Sequence, residues 1–577
     1  MSPRARWLLP RVEETQAGEL AATLGMRRPV ARVLIHRGHA DPAGARRFLE
    51  APLEDLHDPF LMRDMDTAVA RLLDAVRRQE PILLYGDYDV DGTTSVVILK
   101  KAIELAGGRA SCYIPNRLRE GYGMRIEVVE QAALSGVKLL VSADTGIRAA
   151  EAVARAGALG IDVIVTDHHL PDAALPPACA VLNPKRLDCP YPEKNLCGVG
   201  VVFKLADALF RSLDWPSERR QRVLESFLKL VAIGTVADVV PLAGENRILV
   251  KHGLKGLSAV RNPGLRALLD CAGFAEGETP SARQVAFQIA PRMNAAGRMA
   301  DAGGVIDLFL TGDPDRARAI AAQLDQLNQE RQQAEAEMLR SILDQCMAAP
   351  VTSGDRALVF SGPGWHRGVV GIVASRLVDR FVRPVVVLGV DPETGLAHGS
   401  GRSIPAFHLL EALESMHEIF TQFGGHRQAA GVTLAADRIP EFRRRLNACA
   451  LGRLTEEDLV RVLEIDAMLD VPEVDDASVA EVLSLAPFGY GNPPPVFAVC
   501  GAEVAAPPTI LKEKHLRLNL CQKGQNLKVM AWNAADRVGQ LATGARIDAA
   551  ITLEEDKFSL RRGYAGWSAV LKDFRPA

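Results

Sequence analysis

The sequence predicts an α/β protein: a parallel-sheet α/β domain, a long connecting helix, a second α/β domain and a C-terminal β-barrel. Three observations carry that prediction. From about residue 65 to 185, short apolar runs alternate with helical segments, the mark of a parallel sheet with helices on both faces. Residues 314–347 are rich in Ala, Gln, Glu, Arg and Leu at helical spacing, which predicts one long helix. Beyond about residue 460 the apolar runs are short and β-type, broken by Gly, Asn and Pro, as in a small barrel.

At 577 residues the chain is too long for one core, and about three or four domains are expected. The divisions fall at 1–50 (a helical lead-in), 51–265 (the parallel-sheet domain), 266–350 (a connector with the long helix), 351–455 (the second α/β domain) and 456–577 (the barrel). With 48% hydrophobic and 24% charged residues the composition is globular, not disordered. A net charge of -3 gives no global basic signature, so any nucleic-acid contact must be a local patch. Nine cysteines, odd in number and without a C-x-x-C pair, argue for reduced thiols and a cytoplasmic protein. They argue against a zinc ribbon or a disulfide framework. The start, MSPRARWLLPRVEE, lacks the apolar segment of a signal peptide, and no apolar run reaches membrane-span length. A soluble, cytoplasmic protein with no membrane partner is expected.

Taken in order, residues 1–50 show no identifiable chemistry. Asp41-Pro42 opens a helix, and His36 and His39 read as surface or packing residues. Thr67 to Arg78 is amphipathic at helical spacing. The strands that follow are ILLYGDYD, ASCYIPN, KLLVSADTG, IDVIVTDHH and CAVLNP. Three of them end in acids or histidines: Asp87, Asp89 and Asp91 on the first, Asp144 on the third, Asp167-His168-His169 on the fourth. Ligands of open α/β sheets gather at the carboxyl ends of strands, so these stretches are expected to converge on one rim.

The stretch 82–95, ILLYGDYDVDGTTS, reads as a buried strand, a tight turn and a helix start. Acids alternating along extended chain point the same way and repel unless a cation sits among them. Carboxylate oxygens suit a hard divalent metal, although Asp and Gly also favour plain turns. A calcium loop would need Glu at its twelfth position, and that residue is Ile98. No Lys or Arg stands within these motifs to make them a structural salt cluster. In 230–242, LVAIGTVADVVPL, the single carboxylate Asp238 is costly to bury unpaired; metal ligation and a capping or hydrogen-bonded role both resolve that cost.

GDYDVDG, SADTG, TDHH and GTVADVVPL, in this order, resemble the four motifs of the DHH phosphoesterase superfamily. IPNRLREGYG at 114–123 and PRMNAAGRM at 291–299 extend the resemblance, over nearly the whole chain, to its single-strand-specific 5′→3′ exonucleases, the RecJ family. The resemblance implies an exodeoxyribonuclease of DNA repair and recombination that hydrolyses phosphodiesters with two divalent cations about 3.5–4 Å apart. Asp144 would bridge them. Asp89 would serve the first, with Asp87 nearby; Asp91, His168 and Asp238 would serve the second. His169 would support the site by hydrogen bonding or as an acid. Mixed oxygen and nitrogen ligation favours Mn²⁺, with Mg²⁺ as a working substitute. Arg117 and Arg298 are candidates for clamping substrate phosphates.

The second α/β domain spans 356–437, with RALVFSG and RPVVVLGV as strands, then HGSGRS, a helix from Phe407 and the turn FGGHRQAAG. Small residues beside Arg402 and Arg427 let amides and guanidinium groups approach phosphate, although Gly-rich turns are usually only turns. SGRS and GGHRQAAG are similar to the accessory nucleic-acid-binding domain of DHH proteins, the DHHA1 domain. That likeness turns Ser400, Gly401, Arg402, Ser403, Gly424, Gly425 and His426 toward the substrate backbone. PFGYGNPPPVF at 487–497 resembles the start of the OB-fold in the RecJ family. OB-folds bind single strands with a basic groove and stacking aromatics, here Lys512, Lys514, His515, Arg517, Lys528 and Trp532; the other reading is a solvated basic face.

The expected partner is single-stranded DNA, with a helicase and a single-strand-binding protein implied by the resemblance, and the expected state is a monomer. A DHH phosphoesterase for short oligonucleotides, cyclic dinucleotides or pyrophosphate is the alternative enzyme, and the barrel at 460–577 argues against it. A catalytically silent scaffold is the alternative outside catalysis; the presence of every motif acid argues against that one.

Overall fold

Five strands in the order Ala110–Tyr113, Ile82–Gly86, Leu139–Ala143, Asp162–Thr166 and Ala180–Leu182 form a parallel sheet. They come from a computed structural model that describes residues 5–117, 119–121, 123–560, 563 and 565–577. Leu118 and Tyr122 of the IPNRLREGYG motif lie outside these. The strand order reverses between Ile82–Gly86 and Leu139–Ala143, and such a switch point opens a crevice at the strands' carboxyl ends. The central strands are largely apolar because both faces are covered: Ile82, Leu84, Leu139 and Val141 face one core, and Leu83, Leu140 and Val165 face another.

Helix Val90–Leu105 follows strand Ile82–Gly86 after three residues and packs on the sheet with Val96, Val97, Ile98 and Leu99 at most 2% exposed. Burying each contributes about 1.5–3 kcal/mol, so the chain is anchored immediately after its acidic turn. Helices Gly198–Arg211 and Ser217–Ala237 share that core.

The chain divides into two compact units. One comprises residues 51–333 with 487–493 and contains the parallel sheet. Helix Pro263–Cys271, which straddles the start of the expected connector, and helix Gly303–Leu310 within it contribute Leu268 and Phe309 to its core. The other unit comprises 1–50, 334–486 and 494–577. The long helix is continuous from Pro314 to Ala348.

The second unit holds a five-stranded sheet in the order Gln422–Gly425, Ala429–Ala435, Leu396–Arg402, Val385–Val390 and Leu358–Pro363. Its barrel is built from Phe497–Val504, Arg546–Glu555, Trp567–Pro576, Gln525–Ala531 and His515–Gln522, closed by pairing of the first with the last. The lead-in is helical only from Glu14: Arg6–Leu8 is a strand, paired in parallel with Val462–Glu464. Trp7 explains the difference. It is 7% exposed and donates its indole N–H to Asp573 at 3.0 Å, so the segment is held by the barrel strand and not by helical propensity.

Candidate metal centre

The sheet delivers its acidic motifs to one edge by continuing its own ladders. Asp87, Asp144 and Asp167 each follow the last residue of a strand. Their main-chain N–H groups bond to Ala143 O at 3.3 Å, Thr166 O at 2.9 Å and Leu182 O at 3.0 Å. Asp89 caps the following helix, its carboxylate accepting the Gly92 N–H at 2.9 Å, and Asp91 lies in that helix's first turn. The acids therefore wind from strand into helix and do not alternate along extended chain. Gly92 permits this tight path, since a Cβ there would stand 2.6 Å from the Asp87 carbonyl oxygen.

Asp91 is buried, and both its oxygens are held by the first amides of helix Gly198–Arg211: Gly198 N at 2.6 Å and Val199 N at 2.7 Å. A helix N-terminus favours negative charge at that place. Gly198 is required by close approach, because a Cβ there would stand 2.6 Å from the Asp144 Cβ. Asp144 adopts φ 62, the left-handed region that non-glycine residues rarely occupy. The Ser142 hydroxyl closes the turn by donating to Thr145 O at 2.7 Å.

His168 Nε2 lies 3.2 Å from Asp144 Oδ1, 3.6 Å from Asp238 Oδ2 and 3.9 Å from Asp91 Oδ2. Three triads can each offer ligand atoms within 4.8 Å of one another: Asp87–Asp89–Asp144, Asp91–His168–Asp238 and Asp144–His168–His169. Asp144 and His168 each belong to two of them. Asp87 Oδ1, Asp144 Oδ1, Asp238 Oδ2 and both ring nitrogens of His168 are buried without a hydrogen-bond partner. Such orphaned atoms are costly in a folded protein, and a divalent cation held by oxygen and nitrogen ligands relieves them together.

The electrostatics agree. Burial, and then the charges of Asp91 and Asp89, push Asp144 well above the usual carboxylate range. Burial and Asp89 raise Asp87 likewise. Burial, with Asp91 and Asp89, takes Asp238 up to about 9, while burial and Asp89 take Asp91 to about 7 against the pull of its two amides. Burial, then the neighbouring His169, lowers His168 to about 3, so its imidazole is neutral and fit for ligation.

Asp167, the acid of the DHH triplet, is committed to hydrogen bonds. Its Oδ1 accepts the main-chain N–H groups of His168 at 2.7 Å and His169 at 3.0 Å and lies 2.7 Å from His169 Nδ1; its Oδ2 accepts Ile147 N–H at 3.0 Å. Burial alone would raise its pKa, but these bonds and the His169 charge hold it below the ordinary value. Burial works against charge on His169, and Asp167 outweighs it, so His169 is raised.

Further basic residues flank the acids. The Arg117 guanidinium lies 5.0 Å from the Tyr88 ring centroid, and its charge acts on Asp87. Arg298 ends helix Ala290–Met299, where Asn294 Oδ1 accepts the Val90 N–H at 3.3 Å. Lys185 is a cation that the strand-end motifs do not include. It follows the last sheet strand, and its charge opposes the rise of Asp238. Asn183, fully buried, fixes its backbone by accepting Lys185 N–H at 2.8 Å and donating to His169 O at 2.8 Å. The signal that could have found it is a basic residue just past an apolar strand, in LNPKR.

In the other unit, Ser400 and Arg402 share one face of their strand beside helix Arg367–Phe381, and Arg402 donates to Ser400 Oγ at 2.6 Å. Gly401 faces the core against Leu409, and the Ser403 hydroxyl is committed to Phe407 O at 2.9 Å. Gly424 and Gly425 are exposed at the end of strand Gln422–Gly425, and His426 opens the exposed turn to the next strand, its N–H on Ala429 O at 2.8 Å.

The chain matches the models of three families: DHH family, N-terminal domain, over residues 81–235; DHHA1 domain over 354–451; and RecJ OB domain over 465–564. It is 38% identical over 548 residues to the single-stranded-DNA-specific exonuclease RecJ of Bacillus subtilis, covering 95% of this chain and 68% of that one. The crystal structure of RecJ from Thermus thermophilus in complex with Mn²⁺ superposes with a TM-score of 0.83 at 32% identity, covering 100% of this chain and 80% of that one. The same protein in complex with Mg²⁺ gives 0.77 at 31% identity, covering 100% and 79%. With its acidic rim, its accessory domain and its barrel in the same order, the chain belongs to the RecJ family of DHH proteins.

Proposed function

We propose that this chain is a metal-dependent exonuclease that degrades single-stranded DNA from the 5′ end, with two divalent cations at the sheet rim and Mn²⁺ preferred. The observation that carries the reading is the cluster of buried, unpartnered ligand atoms on Asp87, Asp144, His168 and Asp238. The relatives' specificity for single-stranded DNA supports the substrate. Asp87, Asp89 and Asp144 would hold one cation, and Asp91, His168 and Asp238 the other, with Asp144 between them. When bound there, such cations supply an activated water and neutralise charge on the phosphoryl oxygens.

The chain's own residues do the rest. Arg117, Arg298 and Lys185 hold substrate phosphates beside the acids. Asp167 orients His169 and stabilises its proton, which His169 passes to the departing oxygen. Ser400 and Arg402, with Gly424, Gly425 and His426, contact the nucleic-acid backbone. The barrel favours long substrates by stacking bases on Trp532 between Lys512, Lys514, Arg517 and Lys528. A place in repair and recombination, with a helicase and a single-strand-binding protein supplying the strand, fits this activity.

The deciding experiment is degradation of single- and double-stranded DNA labelled at either end, with Mn²⁺, Mg²⁺ or EDTA. Release of 5′ label first, from single strands only and abolished by EDTA, is expected. Release from the 3′ end, or activity in EDTA, would overturn the reading.

A further inference from the structure

Seven residues of the sheet unit, Pro487–Pro493, come from a stretch of chain far beyond the rest of it. They form a short strap lying on the loop that follows Asp238. Leu242 N–H donates to Tyr490 O at 2.7 Å. A Cβ on Gly489 would stand 2.7 Å from Leu242 Cδ1, and one on Gly491 would stand 2.9 Å from Pro241 Cβ and 3.0 Å from its Cα. Gly491 also has φ +74, which side chains rarely adopt. The strap is closed on itself by main-chain bonds between Gly489 and Asn492 at 2.9 and 3.2 Å, and by Asn492 Nδ2 on Pro487 O at 2.9 Å.

The same loop is gripped from within its own domain. Asn246 is fully buried, and its Nδ2 donates to Pro241 O at 3.2 Å and to Asn195 O at 2.6 Å. Asn195 stands three residues before Gly198, whose amide holds Asp91.

Asp238 lacks the amide support that two of the other acids have. Asp91 is fixed by two amides and Asp89 by one. Among the described residues no donor reaches the Asp238 carboxylate, and its Oδ2 is buried without a partner. Its pose therefore rests on its backbone: the C-terminus of helix Ser217–Ala237 on one side, and on the other Val239, with φ 60, leading into Pro241 and Leu242. We infer that the Pro487–Pro493 strap positions Asp238, and so sets the affinity of the site formed by Asp91, His168 and Asp238 for a divalent cation. This rests on the rim being a metal centre. It also means that the segment leading into the barrel belongs to the ligand framework. A truncation that removes it would lose metal while imitating a loss of DNA binding.

The test uses full-length protein carrying Gly491→Val, with Mn²⁺ binding followed by electron paramagnetic resonance of the free ion and dinucleotide hydrolysis measured across Mn²⁺ concentration. One Mn²⁺ dissociation constant is expected to rise about tenfold, the scale of lost ligand support. The Mn²⁺ concentration for half-maximal hydrolysis should rise with it, while the rate at saturating Mn²⁺ stays near wild type. Gly489→Ala meets only the end of the Leu242 side chain and should shift the same constant less, in the same direction. Gly524→Ala strains a barrel hairpin where φ is +77 and nothing lies within 4 Å; it should leave Mn²⁺ affinity unchanged. Wild-type affinity in folded Gly491→Val and Gly489→Ala overturns the inference. A wild-type chain that binds no Mn²⁺ overturns the metal-centre reading instead.

Discussion

Asp144 Oδ1 and His168 Nε2 lie 3.2 Å apart, both buried and neither hydrogen-bonded. Two desolvated polar atoms brought this close without a bond between them are costly in a folded protein unless a cation joins them. The flanking carboxylates make Asp144 the most crowded acid of the rim, facing the charges of Asp91, Asp89, Asp238 and Asp87.

Asp144→Asn tests that centrality. Asparagine keeps the volume and tolerates the left-handed backbone at φ 62, so the fold should survive. Nuclease activity with Mn²⁺ should fall roughly a thousandfold or more, the scale of a lost charge-stabilising group. The metal-free protein should melt at a higher temperature, because one buried, repelled carboxylate is gone. Near-normal activity would remove Asp144 from the centre.

The raised acids predict how stability depends on pH and metal. A carboxyl whose folded pKa is raised binds its proton more tightly in the folded state. Its stabilising contribution is complete below the unfolded value of 3.8 and is lost as pH rises through the folded value. With Asp91 near 7 and Asp238 near 9, the metal-free chain should lose stability between about pH 4 and pH 9. Divalent metal should restore it, most strongly at the alkaline end where the acids are ionised. Melting temperatures in EDTA and in Mn²⁺ at pH 5.5 and 8.5 check this. An Mn²⁺ shift that is larger at the acid end would contradict it.

The rim is readable from sequence because its acids sit where apolar strands stop, a pattern carried by neighbours along the chain. What escapes such reading depends on contacts between distant residues. Asp167 ends an apolar strand just as Asp87 and Asp144 do, yet three main-chain amides consume it. The strand Arg6–Leu8 exists because Trp7 finds Asp573, 566 residues away. Trp567–Pro576 pairs with Arg546–Glu555 inside the barrel, and its local pattern passes for an ordinary tail. Lys185 lies just past the end of its strand, outside any acidic motif that would mark it.

Lys185 should act on substrate and not on metal ligation. Its ammonium opposes the rise of Asp238, yet it makes no ion pair within 4 Å among the described residues. Lys185→Gln should lower kcat/KM on single-stranded DNA about ten- to a hundredfold, as loss of a phosphate-facing cation does. Mn²⁺ affinity should be unchanged or tighter, since a positive charge beside the site is removed. A weaker Mn²⁺ constant would show that the residue supports the ligands instead.

Arg402 is held in place by its bonds to Ser400 Oγ at 2.6 Å and Gly401 O at 2.8 Å. Arg402→Ala should weaken single-strand binding, and the slope of log affinity against log salt should shrink by about 0.7, one phosphate contact on a single strand. Weaker binding with an unchanged slope would mean that Arg402 shapes the strand without touching DNA.

Trp532 separates stacking from charge on the barrel. The residue is 55% exposed, and its ring packs edge-on against His515 at 4.9 Å and 77°. The outward positions of the neighbouring hairpin carry Arg517 and Lys528. A base stacked on an aromatic ring contributes about 1–3 kcal/mol, so Trp532→Ala should weaken binding of long single strands about tenfold with the salt slope intact. Lys528→Ala should do the reverse, with a smaller loss and a shallower slope. Dinucleotide hydrolysis should be unaffected by either, because a dinucleotide engages the rim alone and the strap at 487–493 remains in place. If Trp532→Ala slows dinucleotides as much as long strands, the barrel acts through the metal centre and not through the strand it grips.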